Sequence, residues 1–216
     1  MKTEKNSFRL DIKSIVKRGH YLYFLYFYLY SRIVDYSISK RDMNGTIFNS
    51  NKGIYAVQCI SYPYLRELMK YLDYDENDVF VDVGCAWGRL IGYLDRKTKI
   101  SKFIGIEINH EVAESAKRIF RKNDKVLIID GDAIEKFPMD GTIFYLFNPF
   151  DEEYMDRFLS KAEKTIDHPI RLLYLYPTCE AVVKDHPMWN QLRTEYLKPR
   201  HLGELMLCEY QFIPDV

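Results

Sequence analysis

No two of the four cysteines, Cys59, Cys85, Cys179 and Cys208, stand in a Cys-x-x-Cys pair. The scatter excludes a zinc ribbon and a disulfide framework, and it suits a reducing cytoplasm, where the chain is expected to reside. No set of metal ligands is expected either. Net charge is also absent. Lys and Arg total 31 against 31 Asp and Glu, so no global field draws the chain to nucleic acid. No apolar run reaches the roughly 20 residues that span a bilayer. There is no internal repeat, and the one biased tract is aromatic.

That tract is the unusual feature. The chain holds 18 Tyr and 13 Phe, and residues 21–30 are apolar or aromatic without a break. Lys2, Lys5, Arg9, Lys13, Lys17 and Arg18 precede it. A basic start before an apolar run is signal-like, but no small-residue cleavage site follows. Leu22, Leu25, Leu29 and Ile33 fall on one stripe of a helix flanked by tyrosines. Such a helix packs against the main domain or a partner subunit, or lies at a membrane interface through residues 20–34. The 216 residues suit one sizeable domain with an appendage: an aromatic helical extension over 1–60 and a main domain over 61–216.

From residue 61 onward, helical and strand patterns alternate. Pro63 suits the first turn of a helix whose apolar positions are Leu65, Leu68, Met69 and Leu72. Strands are expected over 79–83, 102–107, 126–130, 142–147 and 170–176, the last stopped by Pro177. Asn109 is placed to cap the helix after the second strand, and Met155, Phe158, Leu159 and Ala162 mark the helix after the fourth. Residues 193–197 and 204–212 around Gly203 read as an antiparallel hairpin. Near-continuous apolar strands separated by helices mean a parallel sheet covered on both faces. The fold class is therefore α/β: a Rossmann-like, seven-stranded, mostly parallel sheet with a C-terminal antiparallel hairpin and an N-terminal helical extension.

In such a sheet ligands bind beyond the carboxyl ends of the strands, and the polar residues collect there. Asp82, Gly84 and Gly88 follow the first strand, Glu107 ends the second, Asp132 follows the third and Asn148 follows the fourth. An acid ending the second strand can accept hydrogen bonds from both ribose hydroxyls of an adenosine. The first turn reads Asp-x-Gly-x-Ala-x-Gly at residues 82–88, with the acid ahead of the first glycine, rather than Gly-x-Gly-x-x-Gly.

These residues resemble the class I S-adenosylmethionine-dependent methyltransferases. Val-Asp-Val-Gly-Cys-Ala-Trp-Gly-Arg at 81–89 is similar to their first motif, Ile106-Glu107 to their ribose-binding acid, and Gly131-Asp132-Ala133 to their adenine-contact motif. Asn148-Pro149-Phe150 resembles the Asn-Pro-Pro-aromatic element of amino-group methyltransferases, with one proline in place of two. A group of small bacterial methyltransferases with a Phe-Asn-Pro-Phe motif is similar over residues 55–213.

The resemblance implies S-adenosylmethionine as cofactor. Gly84, Cys85 and Ala86 would line its methionine and ribose, with Gly88 completing the turn. Asp82 would orient the turn or the cofactor's ammonium. Glu107 would hold the ribose, Ile108 would pack on adenine, and Asp132 with Ala133 would meet the adenine amino group. Ala86 stands where the family has glycine, which a negative φ would accommodate. Asn148 and the Pro149 carbonyl would accept hydrogen bonds from a nucleophile's N–H, and Phe150 would wall the pocket. The methyl acceptor is expected to be a nitrogen on a small molecule or protein side chain. Two rival readings are a nucleotide-binding oxidoreductase on a related sheet and a non-catalytic methyltransferase-like binding protein.

Overall fold

The computed structural model describes residues 21–40, 43, 46–47 and 57–214. Much of the 36–60 stretch, expected to be loop with short strands, lies outside these residues. Within it a two-residue ribbon forms between β1 (Thr46–Ile47) and β2 (Val57–Gln58).

The main sheet holds β3 (Val79–Val83), β4 (Lys102–Glu107), β5 (Val126–Asp130), β6 (Ile143–Phe147), β7 (Ile170–Leu175), β8 (Trp189–Leu197) and β9 (Leu205–Phe212). Their order is β5-β4-β3-β6-β7-β9-β8, as expected seven strands with the first five parallel. The β8–β9 hairpin inserts β9 antiparallel against β7 and leaves β8 at the edge. The strand order runs outward from β3 in two opposite directions, through β4 to β5 and through β6 to β7, so a crevice opens beyond the carboxyl ends of β3, β4 and β6.

Alternation within each strand feeds two separate cores. Phe80, Phe103, Ile143, Tyr145 and Leu173 face one side, against α2 (Tyr62–Leu68), α3 (Arg89–Lys97) and α4 (His110–Phe120). Val81, Ile104, Phe144, Leu146 and Leu172 face the other, against α5 (Glu152–Thr165) and α6 (Glu180–Asp185). Asn109 caps α4 by accepting from the Val112 N–H, and Asp151 caps α5 by accepting from the Tyr154 N–H. Both helices begin with acids and end with bases, the order the helix dipole favours. Gly88 precedes α3 at φ +79°, and Phe120 closes over its bare Cα, so any side chain there would be both strained and displaced.

The N-terminal helix α1 (Tyr21–Ser39) joins the first core through Tyr30, Val34 and Ile38, with the Tyr30 ring edge-on to Tyr62 at 5.7 Å. The aliphatic stripe is not the inward face. Leu22, Leu25, Leu29 and Ile33 are all exposed. What turns α1 this way is its one acid. Asp35 is fully buried and receives Arg89 at 3.0 and 2.6 Å, the Tyr62 hydroxyl at 2.6 Å and the Met43 N–H at 3.1 Å. An ion pair this dry is held in place by its hydrogen bonds, and it dictates the rotation of the helix. Removing one partner strands the other charge, so Asp35→Ala is expected to cost about 3–5 kcal/mol. Urea unfolding checks this; a loss below about 1 kcal/mol would mean that the pair does not hold α1 to the domain.

Candidate functional site

The carboxyl ends of β3, β4 and β6 meet through specific bonds. The N–H groups of Gly84 and Cys85 both donate to the Ile106 carbonyl, at 2.9 and 3.0 Å. The turn is then left-handed at Gly84 (φ +79°), Ala86 (φ +51°) and Gly88 (φ +79°). The negative φ expected for Ala86 is thus corrected. A left-handed alanine costs roughly 1–2 kcal/mol, and its N–H is what offsets that, donating to Glu107 Oε2 at 3.0 Å.

Glu107 is buried and fastens both sides of the crevice, because its Oε1 accepts the Asn109 N–H at 2.8 Å. Each oxygen has one backbone donor and keeps a lone pair for a ligand. Burial raises its carboxyl, while the N–H groups of Asn109, Ala86 and Ile108 pull it back. Ile108 itself is half-buried at the rim.

Asp82 sits beside it under a different constraint. It is buried, and that burial together with the nearby Glu107 charge pushes its carboxyl up to about 8. Tyr145 is its register partner on β6. The Tyr145 hydroxyl is buried with no hydrogen-bond partner among the described residues. Asp82, Tyr145, Gly84, Arg89, Cys59 and Ile60 border a cavity of about 20 Å³, room for a water-sized group. The Cys85 thiol lies over Gly105, and burial holds its pKa high, so it is a packed side chain rather than a nucleophile.

Asn148 follows β6 at φ +46°, a strained conformation for a non-glycine residue. Its Oδ1 accepts from the Tyr174 hydroxyl at 3.2 Å and from the Thr178 hydroxyl. A Cβ on Gly84 would lie 3.5 Å from Pro149 Cβ, so the first turn and the Asn-Pro element face each other directly. Phe150 does not wall a pocket. Its ring is 4% exposed and packs in the second core at a tilt to Tyr154, 4.5 Å away, and Phe158, 5.4 Å away. The turn at Asn148 and the Asp151 cap point it inward.

Asp132 reaches the site by its backbone neighbour, since the Gly131 N–H donates to the Glu107 carbonyl at 3.0 Å. Its carboxylate is occupied locally, accepting from the Ile134 and Glu135 N–H groups at 2.7 and 3.2 Å and from the Tyr154 hydroxyl. Ala133 is buried in the second core. Asp151, Glu152, Glu153 and Thr178 line a surface hollow just outside Asn148.

Sequence reasoning missed Tyr145, Tyr174 and Thr178. Nothing in a strand of alternating aromatics marks one tyrosine as orphaned, and Thr178 reaches Asn148 only because β7 lies beside β6. It also missed that His110, Glu114 and Asp130 bring one donor atom each within 4.8 Å of one another. These groups are already engaged, His110 with Asp130 at 2.5 Å and Glu114 with Lys117 at 2.8 Å.

The fold this crevice belongs to is that of the S-adenosylmethionine-dependent methyltransferases. Solved structures with the same fold include the mitomycin 7-O-methyltransferase MmcR, at TM-score 0.55 and 17% identity over 69% of this chain and 53% of that one. An RNA methyltransferase from Salinibacter ruber in complex with S-adenosyl-L-homocysteine gives 0.55 and 18% over 73% and 95%. The B. subtilis m1A22 tRNA methyltransferase TrmK gives 0.57 and 16% over 70% and 66%. The chain thus spans about half the length of the first of these. Among curated proteins, a protein-lysine N-methyltransferase of Saccharolobus islandicus (strain REY15A) is 23% identical over 141 residues, 62% of this chain and 86% of that protein. No family model matches.

The raised Asp82 carboxyl has a direct consequence for stability. Its unfolded value is near 3.8 and its folded value near 8, so the native state retains a proton that the unfolded chain has released between them. Stability is therefore lost as pH rises through that window. Asp82→Asn removes the effect, and its melting temperature should gain on the wild type between about pH 5 and pH 8. Parallel pH profiles would show instead that Asp82 is ionised without penalty.

Proposed function

We propose that this protein transfers a methyl group from S-adenosylmethionine to a nitrogen nucleophile on a cationic acceptor, a small molecule or a protein side chain. The observation that carries the reading is the meeting of three elements: the left-handed turn pinned by Glu107, the Tyr145–Asp82 cavity beneath it, and Asn148-Pro149 facing Gly84. This agrees with the resemblance to small bacterial methyltransferases bearing Phe-Asn-Pro-Phe.

The residues fit the cofactor's parts. Glu107 has lone pairs for two ribose hydroxyls. The orphaned Tyr145 hydroxyl and the buried Asp82 carboxyl suit a primary ammonium, and the cavity they border is of that size. Gly84 leaves the space over Pro149 clear of a side chain. When bound, the sulfonium supplies an electrophilic methyl group, so the protein's task is alignment and exclusion of water.

Asn148 supplies the alignment. Both lone pairs of its Oδ1 are engaged, one by buried Tyr174 and one by exposed Thr178. Rotation of the Thr178 hydroxyl frees a lone pair for the acceptor's N–H while Tyr174 holds the amide in place. Once the acceptor has released its extra proton to solvent, the neutral amine bound there through an N–H points its nitrogen lone pair toward the turn. Asp151, Glu152 and Glu153 make the entrance acidic, which favours a cationic amine. The Saccharolobus relative, a protein-lysine N-methyltransferase, is consistent with that chemistry.

Two variants separate binding from transfer. Glu107→Ala should weaken S-adenosylmethionine binding by about 1–3 kcal/mol in a calorimetric titration. Unchanged affinity would remove Glu107 from the site, and a wild type that binds NAD(P) instead would favour the oxidoreductase reading. Asn148→Ala should keep cofactor affinity and lose about 10²-fold in turnover, read as S-adenosylhomocysteine formed with a lysine-rich peptide mixture or a cell extract. Equal turnover in the two proteins would take Asn148 out of the reaction.

A further inference from the structure

The outward face of α1 bears a row of large apolar side chains that nothing in the described residues covers. Leu22 is 84% exposed and Ile33 68%, with Leu25 and Leu29 about half exposed between them. The same face carries exposed Tyr26 and Tyr36. A free helix face of this kind loses stability in water and gains it against an apolar phase.

Charge identifies the phase. The first 40 residues carry eight Lys and Arg against three Asp and Glu, while the whole chain is balanced at 31 of each. The remainder of the protein is therefore net acidic by the same margin. One of the three acids, Asp35, is buried against Arg89 and contributes nothing to the surface. Arg32 and Lys40 flank the apolar row at helical spacing and lie near the rings of Tyr28 and Tyr36. The basic residues of 1–20 lead directly into the helix at Tyr21.

We propose that the exposed face of α1 docks on an anionic membrane surface, lying in the interface with its leucines among the acyl chains. Apolar burial and attraction to anionic headgroups are two weak signals that together give stable adsorption. Tyrosines suit the interface because each has an apolar ring and a polar tip. The helix lies on the surface rather than crossing it, since no helix among the described residues is long and apolar enough to span. A second copy of the chain is the poorer occupant. The excess of base over acid along residues 1–40 favours an anionic surface over a second copy that carries the same charge.

Flotation of the full chain with vesicles tests the proposal, comparing pure phosphatidylcholine with a roughly 7:3 mixture of phosphatidylcholine and phosphatidylglycerol. The wild type should float with the anionic vesicles, at least about tenfold more than with neutral ones, and should be released by high salt. Leu25→Asp with Leu29→Asp should abolish flotation while leaving the chain folded and its cofactor affinity unchanged, because both side chains lie on the outward face of α1. A wild type that stays with neither vesicle overturns the proposal. So does a dimer, seen by light scattering, that the same double substitution dissociates, which would assign the face to a subunit interface.

Discussion

The buried contact between Asp35 and Arg89 ties together parts of the chain that otherwise have little reason to associate. Arg89 is the first residue of α3, immediately after the turn at 82–88, and Asp35 is near the end of α1. Between them, the Tyr62 hydroxyl, the Met43 N–H and the Ile60 carbonyl complete the shell. The guanidinium also lies 5.2 Å from the Tyr62 ring centroid, satisfying its apolar face. With two charges taken out of water, only one rotation of α1 satisfies them. That rotation packs Tyr30, Val34 and Ile38 against the first core, partly burying them, and leaves the leucine row outside.

The crevice relies on a second group of buried carboxyls, whose environments differ in a useful way. Glu107 is surrounded by backbone N–H groups and remains a good acceptor. Asp82, a short distance away, is pushed toward its neutral form by burial and by Glu107. A cation entering the Tyr145–Asp82 cavity would relieve both that destabilisation and the unpaired Tyr145 hydroxyl.

Backbone strain is concentrated at the same place. Ala86 and Asn148, both non-glycine and both at positive φ, lie in the turns that follow neighbouring strands β3 and β6. Each is held by identifiable bonds: Ala86 by Glu107, and the Asn148 amide by Tyr174 and Thr178. Strain of this kind persists only when surroundings over-determine it. The acidic rim of Asp151, Glu152 and Glu153 follows from local rules, because acids belong at the start of α5, yet it also colours the entrance beyond Asn148.

Order along the chain determined much of the fold. Alternating apolar strands and amphipathic helices, the Asn109 cap and the Gly203 hairpin were each legible, because local periodicity and capping act within a few residues. The turn at 82–88 and the acid at Glu107 were legible for the same reason, as strand ends with particular spacing. Tertiary structure decided the rest. Leu22, Leu25, Leu29 and Ile33 have the pattern of a buried stripe, but one buried acid 54 residues from its arginine outweighs that preference. Phe150 is turned into the core by its strained neighbour, and Tyr145 becomes an orphan only when register sets it beside Asp82. Sequence alone states which side chains are apolar or charged; which of them end up paired is settled by contacts between segments far apart in the chain.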